Sequence, residues 1–512
     1  MAGDRIAKVL IANRGEIAVR IIRACREMAI QSVAIFSDAD RLGLHVRMAD
    51  EAYSIGPPPA LESYLCQDKI IDVAQNCGAD AIHPGYGFLA ENPEFAEKVT
   101  AAGLCFIGPT AAAMRLMGDK TAARAQMVAA GVPVVPGTQQ ALRDDRGALT
   151  EARKIGLPVM LKAAAGGGGK GMRIVRDEQE LTAAFRSATS EAESAFGDGR
   201  VYIEKYIEAP RHIEFQILAD HQGNVLHLGE RECSIQRRHQ KVVEEAPSTV
   251  LTEETRHQMG QAAVQAAKAC DYRNAGTIEF MLDQNGKFYF LEMNTRLQVE
   301  HPVTEMVTGL DLVKEQIRIA SGEPLRFSQE DIRAHGHAIE CRIYAEDSHN
   351  NFLPSTGTLT TLAPAAGPGV RDDNGYYTGA EVSIYYDPLI AKLITWGSDR
   401  SEAIARMQRA LAEYVVVGVE TSIPFCQAVM GHEKFLAGVF DTHFIEKEFS
   451  RNGVFDLDGT APSAETDLEA AVLAVAAYHH QNKHRQAPAP SNRCEDRPNP
   501  WKNAGRLKGL RR

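Results

Sequence analysis

Paired cysteines are missing from this chain. Its nine cysteines, an odd number, are scattered singly from Cys25 to Cys494 with no Cys-x-x-Cys. Neither a disulfide framework nor a zinc site is suggested, and a reducing, cytoplasmic or organelle-matrix location is expected. No stretch approaches the ~18 apolar residues of a membrane span. Residues 1–8 carry Asp4, Arg5 and Lys8 and no apolar h-region, unlike a secretory signal. A basic surplus is lacking too: 56 Lys and Arg stand against 67 Asp and Glu, a formal net charge of −11, which argues against a general nucleic-acid or anionic-membrane surface. Nor is there gross compositional bias, since 44% hydrophobic and 24% charged residues exclude collagen-like, mucin-like and wholly disordered chains. What remains is a globular protein of 512 residues, enough for about three or four domains at roughly 150 residues each.

The first apolar run, Lys8 to Ala12, leads through Asn13-Arg14-Gly15-Glu16 into Ile17, Val19, Ile21, Ile22 and Cys25 at near-helical spacing, a strand, turn and helix. A strand at Ser32 to Phe36 and apolar runs ending at His83-Pro84-Gly85-Tyr86-Gly87 and Phe106-Ile107-Gly108-Pro109 continue the alternation, as a parallel α/β sheet would. The first turn holds one glycine instead of Gly-x-Gly-x-x-Gly, which argues against a dinucleotide site. Gly131 to Gly137 marks a junction, after which Pro158 to Lys162 runs into Ala163-Ala164-Ala165-Gly166-Gly167-Gly168-Gly169-Lys170-Gly171 and a strand at Met172 to Val175. Beyond about residue 450 the texture changes: Asp467 to Tyr478 reads as one Ala-rich helix, and Gln486 onward is Pro-rich and basic, a poorly packed tail.

The glycine loop offers many unobstructed backbone N–H groups between Lys162 and Lys170, which suits wrapping a polyphosphate. It is not a P-loop, because Lys170 is followed by Gly171. A flexible solvent loop is the plain alternative, and the flanking lysines weigh against it. Further on, two β-rich runs flank Asn285-Gly286, the preferred pair of a two-residue type I′ hairpin turn. Pairing Gln284 with Lys287 and counting outward sets Glu279 opposite Glu292. Facing carboxylates repel and require a compensating cation or a proton. With Asn294 on the same face as Glu292, the set becomes the oxygen-only one that Mg²⁺ or Mn²⁺ prefers; two unrelated glutamates on a solvated face are the alternative. Next, Arg296, Gln298 and Glu300 bring a fixed cation, an amide and a carboxylate beside that site, so an anion could sit at Arg296 while Glu300 takes its proton. The segment Glu230 to Lys241 is dense in charge, and composition alone does not decide between surface and site.

Taken together, these segments resemble the biotin carboxylase component of biotin-dependent carboxylases, an ATP-grasp enzyme. The likeness runs through Ile-Ala-Asn-Arg-Gly-Glu-Ile-Ala at 11–18, His-Pro-Gly-Tyr-Gly-Phe-Leu-Ala-Glu-Asn at 83–92, the glycine loop, Glu-Arg-Glu-Cys-Ser-Ile-Gln-Arg-Arg-His-Gln-Lys at 230–241, Glu-Met-Asn-Thr-Arg-Leu-Gln-Val-Glu-His at 292–301, Glu-Cys-Arg-Ile-Tyr-Ala-Glu-Asp at 340–347 and Tyr-Tyr-Asp-Pro-Leu-Ile-Ala-Lys-Leu-Ile at 385–394. It implies an α/β fold with a Rossmann-like parallel sheet in an N-terminal domain (1–118). A central ATP-grasp domain (119–330) with a mobile glycine-rich lid at about 134–206 follows, then a C-terminal α+β subdomain (331–450) and a helical, Pro-rich basic tail (451–512).

Residue by residue, the resemblance gives Lys120, Lys162, Gly167, Gly168 and Gly169 to ATP. Glu204, Lys205 and Ile207 fall near the adenine, and His212, Gln236 and His239 line the same site. Glu279 and Glu292 would hold magnesium or manganese with Asn294 beside them. Lys241, Arg296, Gln298 and Val299 would surround bicarbonate, with Glu300 as its general base, and Arg342 and Tyr86 would meet the ureido group of biotin. The implied reaction is ATP-dependent carboxylation of biotin through carboxyphosphate, the first half-reaction of an acetyl- or propionyl-CoA type carboxylase of fatty acid metabolism. The same half-reaction for a two-subunit pyruvate carboxylase is the alternative, and an amine-ligating ATP-grasp enzyme is a rival that would not need the block Arg296 to His301 or Arg342. The lid departs from its relatives in Ala163-Ala164-Ala165, which removes no functional group.

None of the fourteen methionines is followed by lysine, so biotin is expected in trans on a biotin carboxyl carrier protein. The second expected partner is a carboxyltransferase, in a homodimer or larger hetero-oligomer. No nucleic acid or membrane partner is expected. Tethering raises effective concentration to roughly millimolar, and the basic residues after Gln486, with Trp501 among prolines, are the expected tether. Deleting residues 486–512 should leave carboxylation of free biotin intact and weaken co-purification with the carrier or the carboxyltransferase; unchanged assembly would place docking on the folded body.

Overall fold

The computed structural model describes residues 6–457 except 139, 140, 143, 164–171, 197, 239, 452, 453 and 456. Gly167, Gly168, Gly169, His239 and the tail from residue 458 therefore lie outside the described residues. All eight cysteines among the described residues are free thiols, and no helix there is long and apolar enough to cross a membrane.

The N-terminal strands β1 (Lys8–Ile11), β2 (Gln31–Ser37), β3 (Glu51–Gly56), β4 (Ala81–His83) and β5 (Cys105–Phe106) form a parallel sheet in the order β3-β2-β1-β4-β5. Val9, Leu10 and Ile11 of the central strand are fully buried, as a strand covered by helices on both faces requires. The turn after β1 delivers Gly15 at φ 65° into the helix Gly15–Glu27, whose first-turn acid, Glu16, is buried.

Strands β6 (Val159–Ala163), β7 (Met172–Val175) and β8 (Val201–Lys205) make a small antiparallel sheet, β7-β6-β8, packed by the helices Asp145–Ile155 and Glu178–Phe196 around its own apolar core of Val159, Leu161, Val201, Ile203 and Leu181. A unit with a separate core behaves as one body. It carries both flanks of the glycine-rich segment.

The remaining architecture rests on one eight-stranded antiparallel sheet. Strands β9 (Arg211–Ala219), β10 (Val225–Arg237), β11 (Gln240–Ala246), β12 (Asn274–Leu282), β13 (Phe288–Asn294) and β14 (His337–Tyr344) line up as β13-β12-β9-β10-β11-β14, followed by Leu389–Gly397 and Val370–Asn374. The β11–β14 pairing, Val243 with Cys341 through Ala246 with Ala338, carries the sheet across residue 330 without a break. Acidic groups at one end are thereby fixed relative to Arg342 by main-chain hydrogen bonds.

The β12–β13 hairpin corrects the expected turn. Asp283 N donates to Lys287 O (2.8 Å) and Gly286 N to Asp283 O (3.1 Å), so Gln284-Asn285-Gly286 is a three-residue loop, and Gly286 takes a positive φ (77°) while Asn285 does not. The cause is Asp283, whose Oδ1 accepts from the backbone N–H of Asn285 (2.8 Å) and Lys287 (2.9 Å) and so stabilises a type I turn ending in a left-handed glycine. Near the turn Leu282 therefore faces Phe288, one residue off the expected register; a bulge at Leu291 restores it, and Glu279 does face Glu292. The pairing was right and its geometry was not. Gly286→Val should cost about 1–2 kcal/mol, since it forces a β-branched residue into the left-handed region, whereas Asn285→Ala should stay within ~0.5 kcal/mol, read as shifts of the denaturation midpoint. Equal losses at the two positions would restore the type I′ turn.

Candidate active site

Strand register builds the centre of the site. Glu292 on β13 faces Glu279 on β12, Glu279 faces Glu214 on β9, and Glu214 faces Arg231 on β10. Arg231 has no exposure at all. Its guanidinium donates to Glu214 Oε1 (2.5 Å), Gln216 Oε1 (2.8 Å), Thr304 Oγ1 (3.0 Å) and Thr277 Oγ1 (3.1 Å), a satisfied buried cation. Lys241, at the start of β11, donates from one ammonium to three carboxylates: Glu214 (2.5 Å), Glu300 (2.6 Å) and Glu279 (2.9 Å). Burial alone would lower the Lys241 pKa, but the three acids outweigh it and hold it well above the ordinary lysine range.

Glu300 precedes the helix His301–Thr308 and is fully buried. Its Oε1 accepts from Lys241 and its Oε2 from Arg342 Nη2 (2.9 Å). Burial pushes its carboxyl up, yet Lys241, Arg342 and Arg231 prevail and hold it well below the usual carboxylate range. Arg342 on β14 also grips Glu244 on β11 at 2.6 Å, and burial, outweighing that arginine, raises Glu244 to about 7. Arg296 is aimed by three side-chain partners, Glu91 Oε2 (2.9 Å), Gln298 Oε1 (3.0 Å) and Asn294 Oδ1 (3.0 Å), and by the carbonyl of Leu297 (3.3 Å).

The facing carboxylates test the expected cation site. Glu279 Oε1 accepts from Asn294 (2.7 Å), Lys241 (2.9 Å) and Gln298 (3.1 Å), and His212 Nε2 lies 2.9 Å from Oε2. Compensation thus comes from Lys241 and His212. Glu292 has no hydrogen-bond or ion-pair partner among the described residues, and desolvation in the cleft followed by the facing Glu279 raises its pKa. An unpaired acid beside an ionised one fits a hard divalent ion. Asn294 now turns its amide nitrogen to Glu279 and its oxygen to Arg296, so joining an ion requires the amide to rotate. Two other donor groups, His212 with Glu214 and Glu279, and Glu214 with Cys233 and Glu300, are already threaded by Lys241 and Arg231.

A cleft of about 800 Å³ is lined by Tyr86, His212, Gln236, Lys241, Glu279, Glu292, Asn294, Arg296, Gln298, Val299 and Arg342. Beside it lies a cavity of about 400 Å³ lined by Lys120, Lys162, Glu204, Met281 and Phe290, and the two share Leu291, Glu292 and Asn294. Lys162 pairs with Glu204 at 2.5 Å, and Gln236 Nε2 sits 2.9 Å from His212 Nδ1. Lys205 and Ile207 line neither space: the Lys205 ammonium donates to the carbonyls of Gly156 and Leu157, both at 2.9 Å, and Ile207 is buried. Glu214, Arg231, Glu244 and Glu91 belong to the site and were not foreseen. On β9, Glu214 and Gln216 alternate with Ile213, Phe215 and Ile217, a pattern that reads as a solvated face unless the neighbouring strand is known.

A nucleotide-sized cavity beneath a small antiparallel unit, with facing hairpin glutamates at its inner end, defines an ATP-grasp ligase. Sequence profiles agree: "Biotin carboxylase, N-terminal domain" matches residues 5–114, "Carbamoyl-phosphate synthase L chain, ATP binding domain" residues 119–328, and "Biotin carboxylase C-terminal domain" residues 340–447. A pyruvate carboxylase subunit of Methanothermobacter thermautotrophicus is 57% identical over 441 residues, covering 86% of this chain and 90% of its own. Biotin carboxylase 1 of Bacillus subtilis is 56% identical, covering 86% and 98%. The propionyl-CoA carboxylase alpha chain of Ruegeria pomeroyi is 51% identical over 492 residues, covering 92% and 72%. Among solved structures, the Campylobacter jejuni biotin carboxylase–βγ-ATP complex superposes with TM-score 0.81 at 49% identity, covering 87% and 99%. The Hydrogenobacter thermophilus 2-oxoglutarate carboxylase biotin carboxylase domain dimer, with MgADP, ADP and bicarbonate, gives 0.79 at 52%, covering 87% and 98%. The chain belongs to the biotin carboxylase family and is an enzyme of the biotin carboxylation half-reaction.

The threaded cations carry a stability consequence. Arg231→Met removes one of the two cations on buried Glu214 and leaves its Oε1 without a donor, which should cost roughly 3 kcal/mol, while Glu214→Gln combined with Arg231→Met should recover most of that loss in thermal unfolding. A single variant within ~1 kcal/mol of wild type would contradict the pairing.

Proposed function

We propose that Glu300 is the general base that deprotonates bicarbonate, within ATP-dependent carboxylation of biotin carried in trans. The observation that carries this reading is the double grip on buried Glu300 of Lys241 and Arg342, which themselves line the cleft. As long as both cations hold it, Glu300 is too weak a base for the task. Bicarbonate entering beside Arg296, Gln298 and Val299 competes for those cations, and sharing them raises the basicity of Glu300 as the substrate arrives. The deprotonated oxygen then attacks the γ-phosphate of ATP in the adjoining cavity, where Lys120 and Lys162 neutralise phosphate charge. Magnesium at Glu279 and Glu292 supplies the remaining charge neutralisation. Carboxyphosphate breaks down to CO₂ and phosphate, the phosphate removes the biotin N1′ proton, and Arg342 with Tyr86 beside it holds the negative charge that develops on the ureido oxygen. Exclusion of water by the three-stranded unit protects carboxyphosphate from hydrolysis.

For the final acceptor we favour an acyl-CoA of the propionyl type. The pyruvate carboxylase and biotin carboxylase relatives each cover 86% of the chain, as does the mitochondrial propionyl-CoA carboxylase alpha chain of Mus musculus, but the propionyl-CoA carboxylase alpha chain of Ruegeria pomeroyi covers 92%. Ninety-two per cent of 512 residues is about 471, so that match extends at least about 14 residues past Leu457. The 57% identity to the pyruvate carboxylase relative supports the second reading. A separate carrier, a separate carboxyltransferase, a homodimer and a cytoplasmic location complete the proposal, as do domain limits near residues 118, 330 and 450.

Bicarbonate- and biotin-dependent ADP release is expected, with Glu300→Gln folded, ATP-binding and slower by about 10² to 10⁴. Arg342→Ala is a less clean test because it also strands Glu244. Near-normal carboxylation by Glu300→Gln would remove the base from that residue. Glu292→Gln should raise the Mg²⁺ concentration for half-maximal rate while leaving stability unchanged or higher; an unchanged Mg²⁺ requirement would take Glu292 out of the metal site. Carboxylation of propionyl-CoA but not pyruvate by the complex purified with its native partners would decide the acceptor.

A further inference from the structure

We propose that Lys392, outside the cleft, is a positioning residue that fixes the Val299–Glu300 peptide and Tyr86 in register with Arg342. This deepens, and rests on, the reading of Glu300 as the base that meets bicarbonate. Lys392 lies on the strand Leu389–Gly397, directly opposite Arg342 on one side and Asp373 on the other. It has no solvent exposure, and a lysine so placed costs several kcal/mol unless its charge and all its donors find partners.

Asp373 is not the partner to which it is committed, because Arg371 holds that carboxylate at two points, 2.7 and 3.1 Å. The Lys392 ammonium instead donates to the carbonyl oxygen of Val299 at 2.8 Å, comes within 3.3 Å of Glu16 Oε1 and sits 5.9 Å from the centroid of the Tyr86 ring. Neither carboxylate oxygen of Glu16 has a hydrogen-bond partner among the described residues, and Lys392 is the cation it approaches. One ammonium therefore joins the first helix of the N-terminal domain, the loop that ends in Glu300, and the ring assigned to biotin. Glu16, Val299, Tyr86 and Arg342 line the cleft and Lys392 does not, so any effect on chemistry passes through them. The block Tyr385 to Ile394 contains this lysine, and neither nucleotide, metal nor bicarbonate binding accounts for it.

A purely structural lysine would serve only to neutralise Glu16. The full-length variant Glu16→Gln/Lys392→Met separates the two roles, since it removes both charges at similar volume and deletes the donor to Val299. We expect it to fold, to keep the KM for ATP within about twofold, and to raise the KM for bicarbonate roughly tenfold or more, the scale on which small misplacement of a reacting group acts. Glu16→Gln alone, which keeps the donor, should show near wild-type bicarbonate kinetics. Lys392→Arg keeps the charge but displaces the single donor; it is the second probe should the double variant not fold, and it too should raise the bicarbonate KM selectively. A wild-type bicarbonate KM in the double variant or in Lys392→Arg, or the same defect in Glu16→Gln, would overturn the assignment. Absence of bicarbonate-dependent ADP release from the wild-type chain in the same assay would instead overturn the proposed function.

Discussion

A carboxylate with no water around it stays ionised only where cations hold it, and the whole site depends on meeting that condition at Glu300. Arg231, Lys241 and Arg342 thread Glu214, Glu279, Glu300 and Glu244. His212 joins them, because Glu279 raises its pKa against the pull of burial. Beyond the array, Glu340 is fully buried and neither of its carboxyl oxygens has a hydrogen-bond partner among the described residues; burial, with Glu244 facing it in register, outweighs Lys392 and pushes its carboxyl well up. Side chains from five strands and the loop that ends in Glu300 must be held to within tenths of an ångström for this to balance. One unbroken sheet is the economical way to hold them.

The same condition shapes reactivity on the proposed reading. In the ligand-free state, the cations meant for bicarbonate and the ureido oxygen are occupied by Glu300 and Glu244, which act as placeholders for the incoming charge. Substrate entry exchanges one anion for another at Lys241 and Arg342, so no bare charge is ever exposed to a low-dielectric wall. Coupling base strength to occupancy also suppresses idle turnover, since Glu300 acquires useful basicity only when something else engages its partners.

How much of this was legible in the sequence follows from sequence distance. The segment from Glu292 to Glu300 could be read because its groups share one short stretch, and Glu279 could be reached because a hairpin links it to Glu292 across a few residues. Even there the turn type was misjudged: the side chain of Asp283 chose a three-residue loop, and the bulge at Leu291 cancelled the error before it reached Glu279. Glu214 and Arg231 could not be read, since their meaning comes from β9 lying between β12 and β10, an adjacency that no local pattern encodes. Lys392 lay inside a recognised block and still carried no visible role, because its partners, Glu16, Tyr86 and Val299, are spread over most of the chain. Parallel strands, the glycine-rich segment and its flanking lysines announced the fold class. The ammonium of Lys205 is taken up by the carbonyls of Gly156 and Leu157, a partnership that its sequence neighbours do not show.

The placement of Glu292 and Asn294 on the wall common to both spaces has a geometric consequence. On the proposed reading, a nucleotide in the smaller cavity, with Lys120 and Lys162 along its length, would present its last phosphate toward Glu292, where the cavity opens into the cleft. An anion held by Arg296 and Lys241 would approach the same wall from the other side, so the transferred group would pass beside the Glu279–Glu292 pair. The facing glutamates, unfavourable by themselves, are the residues that would hold a divalent ion there, and the ion would supply charge neutralisation between donor and acceptor. Their mutual repulsion makes the wall a poor resting place without that ion. This explains why the hairpin keeps Glu292 unpartnered while Glu279 is saturated: one acid is fastened to the protein, and the other is left for the ligand.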